Sequence, residues 1–254
     1  SLHDALPISY LAEIERAIHT STSGRIAGML LEPVQGYGGI VPLPVGYIAG
    51  AFERVRAAGG LCIVDEVQAG VARTGEAFWS FESHGVVPDI VVVAKGVGNG
   101  IPLGAVIAKR DVAESMSDKF LFHTYGANPV ACAAGRAVLK VIREEGLQGN
   151  AKAVGTVLRT GLEQLKDKYP LIGDVRGRGL MLAVELVRDL ATKEPAPDAA
   201  LELFEQTRVN GLVASRSGPH RNVIRMCPPL CLSMEDAYAV VERFDRSFAA
   251  LARN

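Results

Sequence analysis

Two apolar segments, each followed by an ionisable residue, constrain the fold of this chain most strongly. The first, residues 60–68, reads GLCIVDEVQ, and its strand-like part ends in Asp65. The second, residues 89–100, reads DIVVVAKGVGNG and places Lys95 after an apolar run, inside a glycine-rich turn. Open α/β sheets build ligand sites at the carboxyl ends of their strands. The pattern therefore predicts that Asp65 and Lys95 serve one site at the edge of a sheet.

The spacing of apolar residues around these segments predicts alternating strands and helices. Residues 25–33 predict a buried strand, and residues 46–60 predict an amphipathic helix that ends in a Gly-Gly pair. A strand, a helix and a strand in succession form a right-handed crossover, which favours a parallel sheet. Residues 89–94 and 103–108 add two strands. Their apolar runs are continuous, which is typical of strands covered on both faces.

The pattern changes after Asn128 and predicts a smaller α+β domain, joined through a long helix. Residues 1–9, SLHDALPIS, lack an initiator Met and signal-peptide regions, so we expect a non-native leader before a helix at 10–18. We expect part of a large domain at 10–145 and the small domain at 146–254. In the second half we expect helices at 129–146, 151–168, 198–210 and 234–252, and strands at 172–177, 179–186, 211–215 and 222–226.

Composition excludes several classes of function. The net charge is −1 without a basic stripe, which argues against a nucleic-acid partner, and no apolar run is long enough to span a membrane. The four cysteines form no CxxC pair and favour reduced thiols in a cytoplasmic protein. The five histidines are scattered, so we expect no metal site. We expect the chain to start partway through a larger protein, so organelle targeting stays open.

A lysine and an aspartate at strand ends suit the chemistry of pyridoxal 5′-phosphate (PLP). The lysine forms a Schiff base with the aldehyde, and the aspartate keeps the pyridine nitrogen protonated. The residues alone leave two alternatives, a surface role for Lys95 and a strand-end cap or ion pair for Asp65. The glycines at 96, 98 and 100 do not have the GxGxxG spacing of a phosphate-binding loop.

Six motifs in order give the chain a family resemblance. From about residue 10 to the end it resembles the class-III PLP-dependent aminotransferases, and residues 55–68 and 77–91 are most similar to their alanine–glyoxylate aminotransferase branch. The motifs are EPVQGYGGI, VDEVQAGVARTG, PDIVVVAKGVGNGIPLGAVIA, FHTYGANPVACAAG, GDVRGRGLMLAVEL and NVIRMCPPL.

The resemblance implies a role for individual residues in the first half of the chain. Lys95 is the Schiff-base lysine and Asp65 the partner of the pyridine nitrogen. Val67 packs beneath the ring, and Gln68 bonds near its phenolic oxygen. Thr124 matches the threonine that reaches the cofactor phosphate of a neighbouring subunit, which implies a homodimer with shared active sites. A helix cap before Asn128 is the alternative role for Thr124.

In the second half, the resemblance makes Arg225 the anchor of the substrate carboxylate, with a structural ion pair as the alternative. For Arg73 and Arg176 we expect structural roles. Two positions depart from the family. Tyr37 stands where many relatives carry an acidic residue that pairs with the substrate arginine, and Ala127 replaces a common glycine. The first departure favours a substrate with an α-carboxylate.

The resemblance implies a fold-type-I PLP-dependent transferase, with a mainly parallel sheet in the large domain and a smaller C-terminal α+β domain. The implied reaction is transamination of an amino acid, alanine in the leading case, with glyoxylate or pyruvate. The phosphate-gripping loop and the ring-stacking aromatic residue, which relatives carry upstream of the first motif, are absent from this sequence. Two alternatives therefore remain, a PLP-dependent phospho-lyase acting on a phosphorylated amine, and an inactive fragment.

Overall fold

The computed structural model describes residues 2–251, with side chains from residue 9 onward. Within residues 2–251, no helix combines the length and the apolar character needed to span a bilayer. Short 3-10 turns occupy Ser80–His84 and Lys95–Val97. The helices are α1 (Leu2–Ser21), α2 (Tyr47–Ala57), α3 (Arg110–Glu114), α4 (Pro129–Glu144), α5 (Leu147–Lys168), α6 (Pro197–Val209) and α7 (Met234–Leu251). The strands are β1 (Gly28–Leu31), β2 (Val34–Gln35), β3 (Val41–Pro42), β4 (Leu61–Asp65), β5 (Ile90–Val93), β6 (Ala105–Ala108), β7 (Ile172–Arg178), β8 (Met181–Leu186), β9 (Ser215–Ser217) and β10 (Val223–Met226).

The chain divides into two compact units. Two short segments from the first half of the sequence belong with the second unit, which a division by sequence order does not anticipate. The predicted leader at 1–9 overlaps the first turns of α1 and lies mostly outside the residues whose side chains are described, so it stays a prediction. The first unit comprises the described parts of Ser1–Pro33, Leu43–Val71 and Trp79–Glu144, and the second comprises Val34–Pro42, Ala72–Phe78 and the described part of Glu145–Asn254.

The first unit contains a four-stranded sheet with the order β1-β4-β5-β6. The pairs β1–β4 and β4–β5 are parallel, as the sequence predicts, and α2 forms the crossover between the first two strands. The pair β5–β6 is antiparallel. Residues 94–104 join these two strands and contain only one 3-10 turn, whereas a parallel crossover needs a dozen or more residues.

One face of α2 forms the core of the first unit. Its buried residues Ile48, Phe52 and Val55 recur at helical spacing, and they pack with Cys62 and Val64 of β4. The burial of apolar side chains contributes about 25 cal/mol per Å² of area removed from water. Burial also raises the pKa of the Cys62 thiol to about 11, so this cysteine acts as a small apolar side chain.

Strand β6 departs from the expectation that the strands are covered on both faces. Its side chains Val106 and Ile107 are 68% and 50% exposed. The continuous apolar run there predicted burial, and among the described residues of this chain nothing covers it.

The second unit is a four-stranded antiparallel sheet, in the order β7-β8-β10-β9, with helices α5, α6 and α7 on one face. Alternate strand residues point to that face and are buried with the apolar sides of the helices. From the strands, this core takes Val175, Leu182, Val184, Leu186, Ile224 and Met226; from the helices, it takes Leu158, Leu162, Leu203, Phe244 and Phe248 among others.

The predicted strand at residues 211–215 is wrong for all but its last residue. Gly211 has a φ of +76°, its N–H donates to the Arg208 carbonyl, and the N–H of Leu212 donates to the Thr207 carbonyl at 2.8 Å. This pair of bonds is the Schellman motif that ends helices, here α6. The apolar character of Leu212 reflects packing against the core from a helix end rather than from a strand.

Asp89 ties the amino-terminal ends of β4 and β5 together. It is 5% exposed, and its carboxylate accepts the Cys62 N–H at 2.8 Å and pairs with Lys109 and Arg56. Burial opposes ionisation of this group, but the hydrogen bonds from Lys109 and Cys62 and the two positive charges outweigh it. The pKa of Asp89 therefore lies below its ordinary value.

We predict that Asp89→Asn lowers the free energy of unfolding by about 1–2 kcal/mol at neutral pH, because the ion pairs with Arg56 and Lys109 are lost. The effect is modest because solvent screens the charges of both of these exposed side chains. Because the pKa of Asp89 is lower in the folded state than in the unfolded state, its ionisation stabilises the protein at pH values above about 3.9, the unfolded-state pKa. This stabilisation is lost as the pH falls through the folded-state pKa. Urea unfolding from neutral to acidic pH checks this, and a difference that persists at the acidic end would contradict it.

A close approach between α5 and the turn that joins β7 to β8 gives a second prediction. A Cβ added at Gly155 would lie 2.2 Å from the Gly179 carbonyl oxygen, a backbone atom that has little freedom to move. Gly155→Ala should therefore destabilise the protein by about 3 kcal/mol. Gly149→Ala on the same helix meets no atom within 4 Å and should stabilise it by about 0.5 kcal/mol. Thermal unfolding of both variants measures the contrast, and equal effects would refute the close contact.

Candidate active site

Asp65 is the last residue of β4, at the carboxyl end of the parallel part of the first sheet. It stands opposite Val92 of β5 in the register, and its side chain is partly buried. Its Oδ1 accepts the N–H of Val67 at 2.9 Å, which closes an Asx turn directly after the strand. The turn fixes the direction of the carboxylate, and its second oxygen accepts no hydrogen bond from the residues that the structure describes.

Lys95 follows β5 by two residues and begins a 3-10 turn. Its φ is +50°, in the left-handed region that non-glycine residues rarely adopt, and Ala94 before it is extended. The Lys95 carbonyl accepts the Gly98 N–H at 3.0 Å. The chain therefore leaves the strand abruptly, and Lys95, whose side chain is exposed, lies at the same end of the sheet as Asp65. Backbone strain of this kind is concentrated at functional sites.

The turn that carries Lys95 packs closely against residues that follow it in the sequence and against α4. Val97 is buried, and a Cβ added at Gly98 would lie 2.0 Å from the Ile101 carbonyl oxygen. Gly135 of α4 packs against Leu103, where a Cβ would meet a methyl group at 2.4 Å. On the outer side, a Cβ added at Gly96 meets no atom within 4 Å. The turn is thus closely packed at Gly98 and open at Gly96, next to Lys95.

The other predicted residues of the first unit fall in two places. Val67 and Gln68 lie in the loop after β4 and are partly buried, next to Asp65. Thr124 lies in an exposed segment before α4. The helix cap proposed as its alternative role belongs to Asn128, whose Oδ1 accepts the Ala131 N–H at 2.9 Å. Asn128 also donates to the Tyr125 carbonyl at 3.0 Å, so it orders the loop beside Thr124.

Two residues of structural importance near this site were not singled out from the sequence. Asn128 precedes a proline that begins a helix, and this arrangement is a usable signal for a cap. Glu66, next to Asp65, is 1% exposed and accepts hydrogen bonds from a segment 14 residues away. Ala127, between the exposed loop and the cap, has a φ of +53°. This backbone conformation explains why glycine suits position 127.

Arg225 lies on β10 in the second unit, on the face opposite the apolar core. The strand register places Arg176, Ala183, Arg225 and Ser215 in one row across the four strands. Side chains directly opposite one another in a sheet share a face. Arg225 therefore lies on a polar face, with the small Ala183 between it and Arg176.

Arg176 makes structural contacts, in keeping with the role predicted for it. It is 17% exposed, and its guanidinium donates to the Gly39 and Ile40 carbonyls and pairs with Glu185 and Asp174. These bonds attach the β2–β3 segment to the polar face of the sheet.

Arg73 also donates to backbone carbonyls, those of Leu180 and Pro228. Tyr37, at the turn of the β2–β3 segment, is 76% exposed, and its carbonyl accepts the Gly218 N–H at 3.2 Å. In these hydrogen bonds, the partners of Arg73 and Tyr37 are backbone groups rather than ionisable side chains. Both residues therefore connect segments of the second unit through backbone groups.

The groups at the end of the first sheet fit PLP. They comprise the Asp65 carboxylate, held by an Asx turn at the end of β4, and the lysine of the turn that follows the adjacent parallel strand, with open space at Gly96 beside it. An acid for a ring nitrogen and an amine for an aldehyde are the two groups this cofactor requires. Across residues 9–251, no group of three or more His, Cys, Asp and Glu side chains is arranged to hold a metal ion.

Comparisons with known proteins identify the family of the chain. The family model of the class-III aminotransferases matches residues 4–248. The Arabidopsis thaliana protein alanine–glyoxylate aminotransferase 2 homolog 2, mitochondrial, is 48% identical over 242 residues, which are 95% of this chain and 50% of the relative. Human alanine–glyoxylate aminotransferase 2, mitochondrial, is 42% identical over 237 residues, 92% of this chain and 46% of the relative. The chain thus spans about half the length of these curated relatives.

Solved structures give the same result. A phospholyase from Arthrobacter in complex with phosphoethanolamine superposes with a TM-score of 0.92 at 36% identity, over 97% of this chain and 59% of that one. An amine transaminase from an uncultivated Pseudomonas species in the PLP-bound form gives 0.91 at 33% identity, over 97% and 57%. The fold is therefore that of the fold-type-I PLP-dependent transferases, and the chain belongs to the class-III aminotransferase family, whose cofactor is PLP.

Proposed function

We propose that the protein transfers an amino group from an amino acid to a keto acid, with Lys95 as the residue that carries PLP. Alanine is the leading donor, and glyoxylate or pyruvate the leading acceptor. The observation that carries the proposal is the register of β4 and β5. Asp65 stands opposite Val92 of the neighbouring parallel strand, and Lys95 follows three residues after Val92, in the turn beyond the end of that strand.

Each residue of this site has a defined task. When bound, PLP supplies an electron-accepting ring that stabilises negative charge on the α-carbon of a substrate. Asp65 would hold the proton on the ring nitrogen, and Lys95 would hold the cofactor through its Nζ. Once the substrate amine had displaced it, the freed Lys95 amine would move a proton to or from the substrate carbon. Val67 supports the ring from below, and Gln68 donates near the phenolic oxygen. The Asx turn keeps the Asp65 carboxylate in one direction throughout.

Arg225 is our candidate for the group that binds the substrate carboxylate. Guanidinium binds carboxylate through two parallel hydrogen bonds, and Arg225 lies on the polar face of its sheet. Arg176 in the same row is bound to backbone carbonyls and two acids, which fits a structural role. The names of the two curated relatives support alanine and glyoxylate as the substrate pair.

A further part of the proposal is a homodimer, in which Thr124 binds the cofactor phosphate of the partner subunit. The segment around it is exposed and apolar: Phe120 is 94% and Tyr125 83% exposed. Exposed apolar surface is typical of protein interfaces.

The names of the Arabidopsis thaliana and human relatives describe both as mitochondrial. The proposed location is therefore either the cytoplasm or an organelle.

A phospho-lyase acting on a phosphorylated amine is the second candidate function. The similarity to the Arthrobacter phospholyase in complex with phosphoethanolamine favours it. The two functions differ in their products, since the lyase releases inorganic phosphate and the aminotransferase forms a new amino acid. Incubation with phosphoethanolamine and with an alanine–glyoxylate mixture separates them.

We predict that PLP becomes attached to Lys95. The chain is incubated with PLP and reduced with borohydride, and the modified peptide is located by mass spectrometry. The wild-type chain should carry the modification at Lys95, and Lys95→Ala should lose it. Lys119→Ala is the matched control, because this exposed lysine of the same unit pairs only with its neighbour Asp118 in the described contacts and should leave the modification intact.

Asp65→Asn refines this experiment. Asparagine retains an oxygen for the Val67 N–H but not the negative charge, so attachment at Lys95 should persist while transfer from alanine falls at least about a hundredfold. A wild-type chain in which no modification depends on Lys95 would reject the proposed function and favour an inactive fragment.

We further predict that Arg225→Lys lowers kcat/KM for alanine by about ten- to a hundredfold, since lysine loses the bidentate geometry. The value for isopropylamine, a donor without a carboxylate, should stay within about twofold of the wild type. Steady-state assays with both donors measure the split. An equal loss for both donors would assign Arg225 a structural role instead.

A further inference from the structure

Glu66 is a buried acid beside Asp65 whose side chain bonds to a distant segment. It is 1% exposed. Its two carboxylate oxygens accept the Ser80 N–H at 3.0 Å, the Phe81 N–H at 2.9 Å and the Ser80 hydroxyl at 2.8 Å. These donors begin the 3-10 turn Ser80–His84, so the carboxylate satisfies backbone N–H groups that would otherwise be buried without partners. Burial raises the pKa of Glu66, while these hydrogen bonds favour its charged form.

The backbone of Glu66 is held as firmly as its side chain. Its N–H donates to the Val92 carbonyl of β5 at 2.8 Å, and its carbonyl accepts the Gly70 N–H at 3.1 Å. A Cβ added at Gly70 would lie 2.7 Å from that carbonyl oxygen and 2.8 Å from the carboxylate. One residue therefore joins the loop after β4, the strand that leads to Lys95, and the turn at Ser80.

The loop fixed in this way is the one that carries the proposed cofactor contacts. Asp65 precedes Glu66, and Val67 and Gln68 follow it, so the bonds of Glu66 restrain the backbone next to all three. Asp89 offers a direct comparison. It is also a buried acid that binds a backbone N–H in the same unit, but it lies at the opposite, amino-terminal end of the same two strands. Loss of either carboxylate removes hydrogen bonds that connect two segments of the unit. Only the bonds of Glu66 lie next to the proposed site.

We propose that Glu66 is a positioning residue for PLP chemistry: its bonds to Ser80 and Phe81 hold the loop at residues 65–70 so that the Asp65 carboxylate faces the ring nitrogen. This inference rests on the proposed function, because it assigns to Glu66 the geometry of a site in which Asp65 binds that nitrogen.

The test compares Glu66→Gln with Asp89→Asn. Glutamine has the same shape, but its NH₂ group replaces one acceptor oxygen, so one buried backbone N–H loses its partner. Ser80→Ala is a milder variant that removes only the hydroxyl donor and keeps both N–H bonds. The readouts are amide hydrogen exchange of residues 67–70 and the dissociation constant for PLP, with urea unfolding to record overall stability.

We expect Glu66→Gln to accelerate exchange at residues 67–70 and to weaken PLP binding, each by about tenfold. Ser80→Ala should shift both readouts in the same direction by about threefold, and it decides the matter if Glu66→Gln does not fold. Asp89→Asn should lower overall stability and leave both readouts within about twofold of the wild type.

The outcomes separate this inference from the proposed function. If the Lys95 modification forms but Glu66→Gln and Ser80→Ala match Asp89→Asn in exchange and in PLP affinity, the positioning role is refuted and the proposed function stands. If no Lys95-dependent modification forms in the wild type, the proposed function and the PLP role of Glu66 fall together. The exchange data then show only whether Glu66 orders the loop.

Discussion

The parallel pairing of β4 with β5 is the constraint on which the candidate site depends. Because both strands run in the same direction, the residues that follow them emerge at one edge of the sheet. A slip of one residue in the register would turn Asp65 to the other face, since side chains alternate along a strand. Asp89 bonds to β4 at the end of the pair away from the site, and the Glu66 N–H extends the ladder at the end next to the site.

Much of this arrangement could be predicted from the sequence because its signals are local. The helical spacing of Ile48, Phe52 and Val55, and the apolar runs before Asp65 and Lys95, depend only on neighbouring residues. The roles assigned to individual site residues stay predictions, but their placement at the strand ends follows from those runs.

The remaining features depend on contacts between residues that are distant in sequence. The partners of Glu66 lie 14 and 15 residues away, and no periodicity identifies them. The run at 211–215 misled for a related reason, since an apolar residue at a helix end packs into the same core as one in a strand. The antiparallel direction of β6 follows from the length of its connection, which apolar patterning does not report.

The exposed edge of strand β6 favours self-association of this chain at high concentration. Among the described residues it pairs with β5 on one side only, and Val106 and Ile107 face solvent. An apolar strand with unsatisfied backbone groups on its outer side is a template for adding another strand. A further strand, or a charged substitution, at this edge would block self-association through β6.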